Sequence, residues 1–181
     1  MKHKPYVISI AAVSGGGKTA VAKHLAAKWN KGVQLIHFDD YELKGPHHFG
    51  EWAKNSGDYN DWDVLPIVVD ICSSLENPAV EIIILDYPFS TLNTQLQHLI
   101  DLSIYIDTPL DIAMARRIVR DEFSSITEIR TNCQSYLNEG RRAYQVMVEK
   151  VKTSADIVID GTLQLEEITA RIFTNIKQER K

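Results

Sequence analysis

Five short stretches of the chain are apolar at consecutive positions rather than alternate ones: residues 6–13 (YVISIAAV), 33–38 (VQLIHF), 80–86 (VEIIILD), 102–107 (LSIYID) and 155–160 (ADIVID). Runs rich in β-branched residues with no polar face predict parallel strands covered on both sides. Between them lie longer segments with helical patterning, at residues 18–31, 64–75, 109–123, 126–152 and 165–178. This alternation of strand and helix implies right-handed crossovers. The expected fold is α/β: a doubly wound, parallel five-stranded sheet with helices on both faces. Ligands of such sheets collect at the carboxyl ends of the strands. The stretch 44–60 (KGPHHFGEWAKNSGDYN) is polar, aromatic and glycine-bearing, and is read as the most mobile loop.

Composition narrows the class. A chain of 181 residues fits one domain over 1–181, with 44% hydrophobic and 24% charged residues. The net charge of −4 provides no general field for nucleic acid, and no basic run suggests a membrane surface. Cys72 and Cys133 are far apart, as expected of thiols in a reducing compartment rather than a disulfide framework. The basic start followed by an apolar run runs straight into Gly-Lys-Thr, so it is read as a first strand and not a leader. No stretch approaches the roughly 20 apolar residues needed to span a bilayer. A cytoplasmic protein is expected.

The most telling segment is AVSGGGKT at 12–19. It matches G-x-x-x-x-G-K-[ST] everywhere except the first position, where Ala12 replaces glycine. It follows a predicted strand and opens a predicted helix. Glycines let successive backbone N–H groups converge on an anion, and the helix N-terminus adds partial positive charge. Ser14, Gly15, Gly16, Gly17, Lys18, Thr19 and Ala20 are therefore expected to hold a nucleoside triphosphate. Lys18 would reach the β- and γ-phosphates, and the Thr19 hydroxyl would ligate Mg2+. The competing explanation, a plain glycine hinge, leaves Lys18-Thr19 without a purpose.

Other residues bear on what the triphosphate is for. A guanine reader of the Asn-Lys-x-Asp type is missing, because Asn30-Lys31 is followed by Gly32-Val33. Asp39 and Asp40 follow the second strand, where one could serve as a base for an acceptor hydroxyl or both could cap a helix. Asp86 ends the third strand, suited either to the magnesium side of the site or to a strand-end turn. Asp107 ends the fourth strand and reads as a loop acid leading to Pro109. Arg116, Arg117 and Arg120 are spaced to gather guanidiniums on one helix edge, with Asp121 able to orient Arg117. A solvated helix face is the other explanation for these charges. His47-His48 would face a ring carbonyl or simply solvent. No Cys/His spacing suggests zinc.

In this order the segments HFDDY, WDVLPIVVDI, ILDYPF, DLSIYIDTPLDIAMARRIVRD and SADIVIDG resemble the P-loop nucleoside kinases, a family that includes uridine kinase and nicotinamide riboside kinase. The similarity runs over nearly the whole chain. It implies a P-loop NTPase-type fold with a helical lid near 116–135 and an acceptor-binding loop near 40–63. By the resemblance, Asp39 is the catalytic base, Asp86 the magnesium-side acid, and Arg116, Arg117 and Arg120 the lid arginines. Asp63 falls on the ribose-binding aspartate, although it also suits the start of a helix. Tyr59 and Trp62 would stack on a flat base. The chain departs from the family at Ala12, at Asp86 where glutamate is usual, and at YPF in place of a glycine-containing continuation. It also has no second arginine cluster in the lid, where only Arg130 stands nearby. The expected activity is transfer of the γ-phosphoryl of ATP to a primary hydroxyl, of a nucleoside or ribosyl compound. Alternatives are a non-nucleoside alcohol such as pantothenate or a sugar, or a nucleotide-binding regulator or accessory ATPase with no acceptor. The expected partners are ATP and a small-molecule acceptor, with the oligomeric state left open.

Overall fold

The computed structural model describes residues 4–29, 31–46, 49–55 and 57–179. Asn30, His47 and His48, which entered the sequence reading, lie outside the described residues. The strands are β1 (Tyr6–Ala11), β2 (Val33–His37), β3 (Ile82–Asp86), β4 (Leu102–Asp107) and β5 (Ile157–Asp160). They form one sheet in the order β2-β3-β1-β4-β5, and every pairing is parallel. Both the α/β class and the five-stranded parallel sheet are as expected.

Burial follows the period of two that a pleated strand requires. On one face Ile8, Ile10, Ile82, Ile84 and Ile104 pack with Val21, Ala22 and Leu25 of α1 (Lys18–Trp29). Ile168, Ile172 and Ile176 of the C-terminal helix, spaced by one turn, complete that layer. On the other face Val7, Ala11, Ile83, Leu85 and Tyr105 meet Ile67 and Ile71 of α3 (Leu65–Glu76) and Tyr144, Met147 and Val151 of a long helical rod. The three inner strands β1, β3 and β4 thus bury both faces, which is why their sequences are apolar almost throughout. The edge strands β2 and β5 leave Gln34 and Val158 exposed.

The rod consists of α5 (Ile126–Ser135), a π-helical turn (Tyr136–Gly140), α6 (Arg141–Val146), a second π-helical turn (Met147–Val151) and α7 (Lys152–Ser154). Ser125 starts it by accepting from the Glu128 backbone N–H, while Glu128 accepts from Ser124, a reciprocal cap. Its far end is held to the sheet by Lys152 Nζ, 2.6 Å from Asp107 Oδ2. Asp107 is thereby used as a structural ion pair. Before the rod comes α4 (Leu110–Arg120), and after β5 comes α8 (Leu165–Glu179). Among the described residues no helix is long and apolar enough to cross a membrane.

One expectation fails here. The stretch read as the most mobile loop contains helix α2 (Phe49–Asn55), which packs on α6. Trp52 and Ala53 are buried, and the Trp52 ring donates from Nε1 to the Asp58 carbonyl at 3.0 Å. Trp52 also lies edge-on to Tyr59, with ring centroids 5.2 Å apart. Burial of one large aromatic residue organises a segment whose local propensity is weak.

Candidate functional site

The glycine loop sits between β1 and α1 at the carboxyl edge of the central strand. Gly15 takes φ = 79°, and a Cβ there would fall 2.0 Å from the Ala113 carbonyl oxygen of α4. Both the backbone sign and the close approach exclude a side chain. Ala12, the departure at the first motif position, is fully buried with no positive φ. Its methyl occupies space left free by Gly16, where a Cβ would lie 2.8 Å from it. The loop is further held by Gly16 N–H donating to the Val13 carbonyl (2.8 Å) and by the Thr108 hydroxyl donating to the Gly16 carbonyl (2.8 Å).

Two carboxylates at strand ends converge on Lys18. Its ammonium is 2.8 Å from Asp86 Oδ1 and 3.7 Å from Asp39 Oδ2. Asp86 is 1% exposed, whereas the Asp39 side chain is 77% exposed and free to meet a ligand. His37 Nδ1 lies 2.8 Å from the other Asp86 oxygen. Asp39 is carried by a short 3-10 turn, Phe38–Asp40, which aims it at Lys18. Asp40 lines a different surface depression with Tyr41 and Asp70.

A cavity of about 460 Å³ adjoins Lys18 and Asp39. Its floor is the glycine loop with Lys18, Thr19 and Ala20, and Asp39, Arg116 and Arg120 stand at its sides. The remaining wall is apolar, made of Phe38, Trp62, Pro88, Phe89, Tyr144 and Met147. Phe38, Trp62 and Phe89 form a mutual cluster with centroid separations of 5.3–5.6 Å. Buried Asn93 locks its edge, donating to the carbonyls of Tyr59 (2.9 Å) and Trp62 (3.3 Å). The YPF departure is accommodated by Ser90, which turns the chain at φ = 52° where a glycine would be unstrained. Pro88 and Phe89 are thereby delivered to the wall.

Not every expected residue reaches the cavity. Asp63 is exposed and accepts from the Leu65 N–H at the start of α3, away from the lining. Tyr59 is 3% exposed and packs in the core against Trp52 and Phe89, and burial pushes its phenol up. Arg117 is also not among the lining residues. Its guanidinium donates to the Tyr144 hydroxyl (3.3 Å) and Asn132 (3.0 Å), tying α4 to the rod. Burial works against its charge, but Tyr144 and Asp121 outweigh that and hold it above its ordinary value. Arg116 reaches the Gly161 carbonyl (3.1 Å), and Arg120 binds Asp121 (2.7 Å). Hydrogen bonding from Arg120 holds Asp121 below the usual carboxylate range.

The donor set suits Mg2+. Asp86 and the Thr19 hydroxyl are hard oxygen donors beside the phosphate cradle. Among the described residues no group of three or more His, Cys, Asp or Glu could hold a metal alone. Magnesium is normally held by one or two protein oxygens with substrate phosphates and water supplying the rest, so the residues fit.

The sequence reading missed His37, Phe38, Phe89, Asn93, Tyr144 and Met147. Phe38 and His37 lie in the quoted HFDDY segment next to Asp39, which was their available signal. Tyr144 and Met147 look like ordinary core residues of a helix.

Residues 72–166 match the model of the phosphoribulokinase / uridine kinase family. A uridine kinase of Streptococcus gordonii is 25% identical over an alignment of 209 residues, covering 99% of this chain and 100% of the relative. Two solved structures share the fold. Protein TT1252 from Thermus thermophilus superposes with a TM-score of 0.60 at 15% identity, over 98% of this chain and 99% of that one. Shikimate kinase from Aquifex aeolicus does so with a TM-score of 0.53 at 15% identity, over 96% and 98%. With the family model spanning more than half its length, the chain belongs to the phosphoribulokinase / uridine kinase family of P-loop kinases.

Proposed function

We propose that this protein is an ATP-dependent small-molecule kinase that phosphorylates a primary hydroxyl, acting as a single-domain cytoplasmic enzyme. One observation carries the reading: Lys18 in the glycine loop and the exposed carboxylate of Asp39 face one another at 3.7 Å, at the edge of one cavity. An alcohol in that cavity would have its hydroxyl between a base and the terminal phosphate.

The glycine loop and the first turn of α1 would hold the triphosphate through backbone N–H groups and Lys18. Asp39 accepts the acceptor's hydroxyl proton as its oxygen bonds to the γ-phosphorus and the bridge to the β-phosphate breaks, releasing ADP. Mg2+, held by Thr19 and Asp86, would neutralise phosphate charge when bound. Lys18, Arg116 and Arg120 meet the charge that spreads over the γ-phosphoryl oxygens. These contacts accelerate transfer because they strengthen as the transition state forms. For this Arg120 exchanges Asp121 for phosphate. Arg117 holds the rod against α4, so that Tyr144 and Met147 close the wall and exclude water.

The apolar wall supports an acceptor with a flat, uncharged body, such as a nucleoside. A non-nucleoside alcohol is the second reading, favoured by the placement of Asp63 outside the cavity lining. A panel of ribonucleosides, 2′-deoxynucleosides, pantothenate-like alcohols and sugars, read by acceptor-dependent ADP release, tests both. Release with one class identifies the acceptor. ATP binding with no acceptor-dependent release across the panel would leave a regulator or accessory ATPase instead.

A further inference from the structure

His37 has no part in the chemistry above, yet it occupies a defined place. It is the last residue of β2 and stands directly opposite Asp86 in the parallel register with β3. Its ring Nδ1 is 2.8 Å from Asp86 Oδ2, while Lys18 Nζ is 2.8 Å from Oδ1. Because Asp86 is 1% exposed, both of its oxygens must find partners within the protein. Losing one partner of a buried carboxylate is costly.

The two partners differ in kind. Lys18 ends a flexible four-carbon stem and is also the cation that the glycine loop offers to terminal phosphates. His37 is short, its backbone is fixed by pairing with β3, and its side chain is only 18% exposed. When Lys18 turns toward a triphosphate, Oδ1 is released and His37 stays.

We propose that His37 is a positioning residue for Asp86: it holds the carboxylate through Oδ2 and keeps Oδ1 turned toward the cradle. Once Lys18 turns to the nucleotide, Oδ1 would then be the atom offered to Mg2+. A carboxylate flanked by an ammonium only accepts, so Nδ1 carries the proton and the ring donates. The inference rests on the site being a nucleotide site.

Calorimetry of ATP binding with and without Mg2+, on the wild type, His37→Ala and His37→Asn, tests it. Asparagine keeps an N–H donor one bond beyond Cγ, where the ring carries Nδ1. His37→Ala is expected to weaken Mg2+-dependent ATP binding about tenfold and to lower kcat by a similar factor, as for other groups that orient metal ligands. Metal-free ATP affinity and acceptor KM should hold within about twofold, and His37→Asn should recover most of the loss. A second measurement needs no variant. In protein labelled with 15N-histidine, the Nδ1–H signal of His37 should persist when a non-hydrolysable ATP analogue and Mg2+ bind.

Wild-type affinity in His37→Ala, equal losses with and without Mg2+, or disappearance of the Nδ1–H signal on loading would overturn the proposal. Failure of the wild type to bind ATP at all would instead remove the functional reading, and this inference with it.

Discussion

The two halves of the cavity are built in different ways. The phosphate half comes from one contiguous segment, Ser14 to Ala20, whose loop geometry is set by glycines and by the helix that follows. The acceptor half is collected from the turn after β2, Trp62 ahead of α3, the loop after β3, α4 and the rod. A site made of neighbours in sequence can be read as a motif. A site made of residues brought together by packing cannot, and substitutions should affect the two halves separately.

The largest effect is expected at the shared boundary. Lys18→Ala removes the one ammonium over the transferring phosphate and should lower turnover about 100- to 1,000-fold. It also removes a partner of buried Asp86, so its melting temperature should be measured beside the rate. A Lys18→Ala enzyme with unchanged turnover would detach the glycine loop from the chemistry.

On the acceptor side, Trp62→Ala should raise acceptor KM while leaving the Kd for ATP unaltered. It removes wall area that closes on the acceptor, a loss of about 1–3 kcal/mol by the burial of a large ring. Equal losses in KM and ATP affinity would mean that the two halves are not separable.

The smallest effect is expected at Asp63. Asp63→Ala removes the bond to the Leu65 N–H and should cost about 1 kcal/mol of stability. If Asp63 stays at the start of α3 in the working enzyme, a 2′-deoxy acceptor and its ribo counterpart should respond equally to the substitution. A selective loss with the ribo compound, seen in paired kcat/KM measurements, would return Asp63 to the ribose-binding role implied by the resemblance.

This contrast also explains how far the sequence could be read. Strand runs with two apolar faces gave the sheet, because each residue in Val7 to Ile10 and Ile82 to Leu85 is buried by one layer or the other. The cradle was legible because its requirements are local. Asp39 and Asp86 were legible as acids at strand ends, and the structure sets both beside Lys18. Helix α2 was not, since its order comes from Trp52 packing on distant residues rather than from its own composition. Spacing put Arg117 beside Arg116 and Arg120 but could not choose which face meets the cavity. His37 carries no periodic signal at all, and its role appears only when β2 is set in register against β3.

The most direct measurement is acceptor-dependent ADP release by the wild type and by Asp39→Asn, with calorimetric ATP binding recorded for both. Removing the base without altering the cradle should reduce release by about 100-fold or more and leave ATP affinity within about twofold. Undiminished release by Asp39→Asn, or loss of ATP binding in step with loss of rate, would contradict an account in which this carboxylate takes the acceptor's proton.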